Sequence, residues 1–203
     1  KRNIQTIHNC LNTTNFKKTI NDELRVKYKL KNNFLILGVA SVWDSNKGLN
    51  DFIKLSQNLQ KMDKIVLIGL SKTQISQLPN GIIGIERTDS LKTLIAWYTT
   101  ADVYFNASYE ESFGMTTIEA MACGTPVIVY NATACAESVT DKVGFRVIKK
   151  DVNAINKSLD EIRIKKSSYY ENYCRTHVLE NFDQRDRFND YIELYQNILA
   201  EKL

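Results

Sequence analysis

The sequence predicts an α/β fold in which a doubly wound parallel sheet of about six strands is followed by C-terminal helices. Three observations carry that prediction. From residue 34 to 148, strand-length apolar runs alternate with segments whose apolar residues recur at helical spacing, the pattern of repeated βαβ units. The first run, residues 34–40 (F-L-I-L-G-V-A), is apolar throughout, as a strand covered on both faces requires. From Asp151 onward the pattern is helical. In such a fold, right-handed crossovers bring the loops after the strands to one edge of the sheet, where ligands bind.

Each element follows from local chemistry. Residues 1–33 read as a linker-like start: an apolar pulse at Ile4 and Ile7, a polar stretch from His8 to Phe16, then a short helix or turn over 22–30. The strand at 34–40 runs into a loop at 41–47. Gly48 then opens a helix whose Leu49, Phe52, Ile53, Leu55 and Leu59 form one stripe. A second strand is expected at 64–70. Ser71 is placed to cap a short helix over 71–78, and Pro79-Asn80-Gly81 makes a turn. The third strand spans 82–86. A helix over 90–101 carries Leu91, Leu94, Ile95 and Tyr98 on one face, and the fourth strand spans 102–107. After an intervening loop and helix come a fifth strand at 126–130 and a sixth, at the edge, at 144–148. Helices are expected over 154–162, 167–181 and 184–202, the last two separated at Asn181-Phe182-Asp183. The chain therefore reads as one domain over 1–203, with an α/β core at 34–150 and a helical tail at 151–203.

Composition narrows the function classes. At 203 residues, 43% hydrophobic and 25% charged, the chain is globular and sized for one domain. The net charge of +4 is spread along the chain with no basic stripe, which argues against a nucleic-acid partner. It is compatible with a cationic face resting on an anionic membrane surface. No apolar run approaches the roughly 20 residues of a membrane span, and the start has no signal-peptide core. It also has no initiator Met, so the chain reads as a piece of a longer protein. Cys10, Cys123, Cys135 and Cys174 form no C-x-x-C pair and match no zinc spacing, so reduced thiols in a cytoplasmic protein are expected.

Three strand-end loops carry candidate chemistry. Lys47 stands directly before Gly48 and a helix start, which combines a cation with helix-start amides, as a phosphate site does. A solvated loop lysine fits the same residues. The loop lacks G-x-x-x-x-G-K-[ST], and no G-x-G-x-x-G occurs in the chain. After the third strand, Arg87 could approach a base or a phosphate, or could simply be exposed. The third loop reads A-S-Y-E-E-S-F-G-M-T-T-I-E-A-M-A-C-G-T-P-V-I-V over 107–129. Ser112-Phe113-Gly114 breaks the chain before a helix, so the N–H groups of Gly114, Met115 and Thr116 lack helical acceptors and favour an anion. Glu111 and Glu119 lie eight positions apart across that break. Glu119 could accept two hydrogen bonds from a vicinal diol such as ribose, or could serve as a first-turn partner of the helix dipole.

At these residues the chain resembles a known family. E-E-S-F-G-M-T-T-I-E-A-M-A-C-G-T-P-V-I-V is similar to the E-x₇-E signature of the retaining family-4 (group 1) glycosyltransferases of GT-B fold. V-A-S-V-W-D-S-N-K-G-L and A-D-V-Y-F-N-A-S, both upstream, extend the resemblance. It implies the Rossmann-like C-terminal, donor-binding half of a two-domain enzyme, with an N-terminal domain lying elsewhere. It also implies roles. Glu119 would hold ribose, and Lys47 the diphosphate and leaving group. The amides of Gly114, Met115 and Thr116 would touch phosphate and sugar. Glu111, with Ser112 and Phe113, would face the transferred sugar, and Arg87 would lie near the base. The nucleotide diphosphate sugar is then a substrate, with no cofactor and no metal expected.

Three departures stand out. Many members carry an arginine five residues before the lysine, and some close relatives carry one directly before it; here those positions are Val42 and Asn46. The N-G-x-D often found at the start is Asn9-Cys10-Leu11-Asn12, and the glycine-rich loop after the fifth strand is Asn131-Ala132-Thr133-Ala134-Cys135. The expected function is transfer of a hexose, with retention, to a glycan or lipid-linked acceptor reached through the N-terminal domain, in bacterial-type surface polysaccharide synthesis. The expected location is cytoplasmic, with the inner membrane face as a docking surface. The alternatives are a non-catalytic nucleotide-binding module and a nucleotide-sugar epimerase of similar fold.

Overall fold

The computed structural model describes residues 5–200, apart from Asn21 and Thr133. Ile4, Thr133 and the part of the expected helix over 184–202 that follows Ala200 therefore lie outside the described residues. Six parallel strands, β1 (Phe34–Val39), β2 (Asp63–Ile68), β3 (Ile82–Ile85), β4 (Val103–Asn106), β5 (Val127–Tyr130) and β6 (Gly144–Val147), form one sheet in the order β3-β2-β1-β4-β5-β6. This is the doubly wound, Rossmann-like order expected from the alternation. The strands are apolar because both faces are covered. Leu35, Ile36, Leu37, Ile65, Val66, Leu67, Ile128 and Val129 have no exposed surface.

The helices are α1 (Glu23–Lys27), α2 (Leu49–Ser56), α3 (Lys72–Ser76), α4 (Leu91–Thr100), α5 (Met115–Ala122), α6 (Val152–Lys165), α7 (Ser167–Phe182) and α8 (Gln184–Ala200). Their starts follow from capping. Ser71 and Gln74 close a reciprocal capping box on α3. Ser90 accepts the Thr93 amide at the start of α4. Asp151 accepts the Ala154 amide at 2.9 Å, which starts α6 at Val152, two residues earlier than its apolar stripe suggested.

The strand order reverses between β1 and β4. The chain leaves β1 in one direction through α2 and leaves β4 in the other through α5, so right-handed crossovers put the two helices on opposite faces. A crevice opens between the two departing loops.

The tail closes the fold. Arg163 on α6 reaches both carboxylate oxygens of the buried Asp63, each at 3.0 Å, which fixes the start of β2. Arg175 on α7 donates to the carbonyls of Thr13, Phe16 and Ala122. Leu11 bridges Asp183 in parallel, so the start of the chain lies against the junction of α7 and α8. Leu11 and Phe16 are buried, as are Leu24 and Leu30 around α1, which packs against α4, so the start is packed onto the core. No side chain of α8 is buried.

Candidate functional site

The site is built where the loops after β1, β3 and β4 meet. In the first of these loops, the Asp44 carboxylate accepts the amides of Asn46 (2.9 Å) and Lys47 (3.1 Å), winding 45–47 into a short 3₁₀ turn. Trp43, deep beneath, donates its indole N–H to the Ile68 carbonyl. Gly48 then takes φ +72°. A Cβ there would lie 2.3 Å from the Ala107 carbonyl oxygen, so only glycine lets this loop press against the end of β4.

That pressing brings the candidates together. The ammonium of Lys47 lies 2.8 Å from Glu111 Oε2 across 64 residues of sequence. Gly114, at φ +89°, turns the second loop into α5. Its own missing Cβ is matched by Cys135, whose Sγ would lie 2.6 Å away. Thr117 is the first residue whose N–H bonds within this turn, to the Gly114 carbonyl. The amides of Gly114, Met115 and Thr116 precede that bond and have no helical acceptor.

Two adjoining cavities share Val39, Ala40, Ser41 and Thr116. The smaller, about 190 Å³, is lined by Lys47, Glu111, Ser112, Phe113, Gly114, Met115 and Thr116. The larger, about 360 Å³, is lined by Glu86, Arg87, Thr88 and Glu119. The nine sequence candidates thus line one continuous crevice. Glu111 and Glu119 nonetheless face different halves of it, which their eight-residue spacing does not reveal. Phe113 lines the smaller cavity and also packs edge-on against Phe182, tying the loop to the tail.

Residues beneath the crevice complete the site, and no sequence motif marks them. Tyr98 on α4 is fully buried and donates its hydroxyl to Glu119 Oε2 at 2.7 Å. Tyr104 on β4 donates to Thr116 Oγ1 at 2.7 Å. Burial pushes the Glu119 carboxyl above the usual carboxylate range, and the Tyr98 hydroxyl pulls it part of the way back. Burial likewise holds both tyrosines protonated, so they remain donors. The available signal was chemical: a tyrosine on an apolar stripe still needs a partner for its hydroxyl. Behind the second loop, Asn106 donates to Thr117 Oγ1 and accepts the Ser108 amide. Among the described residues, no group of three or more His, Cys, Asp or Glu side chains is placed to hold a metal ion. None of the described helices is long and apolar enough to cross a membrane.

Comparison with known proteins places this crevice in context. The profile described as "Glycosyl transferases group 1" matches residues 20–173. The capsular polysaccharide biosynthesis glycosyltransferase CapM of Staphylococcus aureus is 27% identical over 157 residues, covering 70% of this chain and 40% of CapM. The chain thus spans less than half the length of that relative. Among solved structures, Anabaena HepE in complex with UDP-glucose superposes with a TM-score of 0.82 at 18% identity, over 95% of this chain and 57% of HepE. The C-terminal domain of a group 1 family glycosyl transferase, LpcC of Francisella tularensis, gives 0.69 at 22% identity, over 86% of this chain and 99% of that domain. The fold is accordingly that of the C-terminal half of a GT-B glycosyltransferase.

Proposed function

The chain belongs to the group 1 glycosyl transferases, and from that premise we propose that it is the donor-binding part of an enzyme that moves a hexose from a nucleotide diphosphate sugar to a glycan or lipid-linked acceptor, with retention, in surface polysaccharide synthesis. The carrying observation is the meeting of Lys47 and Glu111 at 2.8 Å beside the start of α5, with Glu119 in the adjoining cavity. Anabaena HepE, which shares the fold, is solved with UDP-glucose, and the CapM likeness supports the polysaccharide assignment.

In this reading the diphosphate sits in the smaller cavity. Lys47 and the amides of Gly114, Met115 and Thr116 meet its charge, which grows as the sugar–phosphate bond breaks. These groups are fixed before the donor arrives, so little reorganisation accompanies the step. Glu111, with Ser112 and Phe113, faces the transferred sugar. Glu119 holds the ribose diol in the larger cavity, and Arg87 lies near the base. Charge neutralisation is assigned to Lys47 and the amides without a metal. The acceptor is presented by a further domain, as the 40% coverage of CapM suggests. A cytoplasmic location with contact at the inner membrane face fits a lipid-linked acceptor.

A second reading, a nucleotide-binding module without transfer, is favoured by Val42 and Asn46, which stand where the family resemblance leads one to expect a phosphate-binding arginine. Calorimetric titration of UDP, GDP and ADP and their hexose conjugates tests the site. Lys47→Ala and Glu119→Ala should each weaken binding by about tenfold or more. Unchanged binding in both would remove the assignment. Donor binding by the full-length protein with neither transfer nor donor hydrolysis would favour the module.

A further inference from the structure

We propose that Tyr98 is a positioning residue for Glu119, holding one carboxylate oxygen from the buried side so that the other is presented to the crevice for a vicinal diol. This deepens the donor-site reading and rests on it. The geometry is specific. Tyr98 is fully buried, and its hydroxyl meets Glu119 Oε2 at 2.7 Å. Among the described residues no side-chain or backbone donor reaches Glu119 Oε1, while Glu119 lines the larger cavity. Tyr98 is itself held in place. Its ring packs edge-on against Tyr104 at 5.8 Å, and its carbonyl accepts the Thr125 hydroxyl at 2.6 Å. Tyr104 in turn donates to Thr116, the residue common to both cavities. Two tyrosines from neighbouring elements thus fix two consecutive turns of α5 from below.

The chemical consequence has a sign. A carboxyl group receives a diol more strongly when ionised, because protonation turns one acceptor site into a donor. Burial disfavours ionisation of Glu119, and the Tyr98 hydroxyl opposes that effect. Removing the hydroxyl raises the Glu119 carboxyl further, so diol binding weakens at a higher pH as the solution is acidified. Other groups near Glu119 do not mimic this. Tyr98 and Tyr104 stay protonated, and the Cys123 thiol, at the C-cap of α5, is pushed up to about 12. Arg87 lines the same cavity as Glu119. Glu86 is the remaining carboxylate of that cavity, and Glu111 lies in the other with Lys47.

The test uses the 203-residue chain with UDP, GDP and ADP as probes, the tightest being carried forward with its 2′-deoxy counterpart. Affinity is measured from neutral to acid pH for the parent, Tyr98→Phe, Glu119→Gln and the double variant, all in a Glu86→Gln background. The ratio of Y98F to parent affinity cancels the probe's own protonation and any titration of Glu111. The expected result is a Y98F penalty that grows several-fold on acidification. The parent's preference for ribose over deoxyribose, about tenfold, should narrow in Y98F, and Y98F should have no pH-dependent effect once Glu119 is Gln. A penalty equal at every pH, and equal for ribose and deoxyribose probes, overturns the inference while leaving the donor site standing. Parental affinity in E119Q, or no binding of any diphosphate by the parent, would instead overturn the donor-site reading itself.

Discussion

The carbonyl of Asn46 accepts the backbone N–H of Tyr109 at 2.7 Å, joining the loop after β1 to the loop after β4 where the sheet order reverses. This bond, the 3₁₀ turn capped by Asp44 and the close approach of Gly48 to Ala107 set the distance between Lys47 and Glu111. Tyr109 strengthens the joint. Its hydroxyl donates to the buried Asp51 on α2, which Tyr130 also reaches, and Lys149 and Lys150 lie over its ring.

Gly48→Ala should therefore cost both stability and binding. The new methyl would enter a left-handed backbone at φ +72° and meet the Ala107 carbonyl. Strain of this kind costs about 1–3 kcal/mol, readable as a lower urea midpoint. The two loops must part to relieve the clash, so affinity for nucleoside diphosphates should fall as well. A variant with parental midpoint and affinity would show that the loops are not locked.

The Lys47–Glu111 pair yields a prediction of opposite sign. Both side chains are partly solvated, so the pair contributes about 0–1 kcal/mol to folding. In the proposed site its larger effect is on ligands, because Glu111 competes with a diphosphate for Lys47. Glu111→Gln should leave stability nearly unchanged and tighten diphosphate binding by about two- to fivefold, while lowering transfer by the full-length protein. Weaker diphosphate binding in E111Q would make Glu111 a donor-binding group instead.

Much of this fold is legible in the sequence because fully covered strands are written as unbroken apolar runs. The run at 34–40 is an example. The helical stripe on α2 is legible as far as Leu55, whereas Leu59 lies past the helix end at Ser56. Strand ends are less legible. Asp63 is charged, yet it starts β2 because Arg163, a hundred residues away, neutralises it. The site is legible in part. Lys47, Gly114 and Glu119 announce themselves through helix-start chemistry. The joining of the two loops depends on long-range geometry that no local pattern encodes. Trp43 illustrates the gap: it lies in a polar loop segment, yet is buried with its indole N–H on Ile68.

The thiols give a direct check on packing. Cys123, Cys135 and Cys174 are buried, and burial raises all three, Cys123 to about 12 and Cys135 to about 11. Thiolate is the reactive form. With a colorimetric disulfide reagent at neutral pH, the native chain should release about one equivalent quickly, from the partly exposed Cys10, and four after denaturation. Rapid reaction of Cys135 in the native chain would mean that the second loop opens, since its sulfur packs against Gly114 and Thr117.

The last prediction concerns α8. Phe188, Tyr191, Ile192, Tyr195, Ile198 and Leu199 recur at helical spacing and are all exposed, so an entire apolar stripe covers nothing among the described residues. A stripe that buries no area contributes little to the stability of this chain, whereas contiguous exposed apolar surface promotes association. Replacing Ile192 and Tyr195 together with lysine should shift the unfolding free energy by no more than about 0.5 kcal/mol and reduce any concentration-dependent self-association seen by sedimentation. A loss of about 2 kcal/mol or more, of the kind core truncations produce, would show instead that α8 folds back onto the chain in solution.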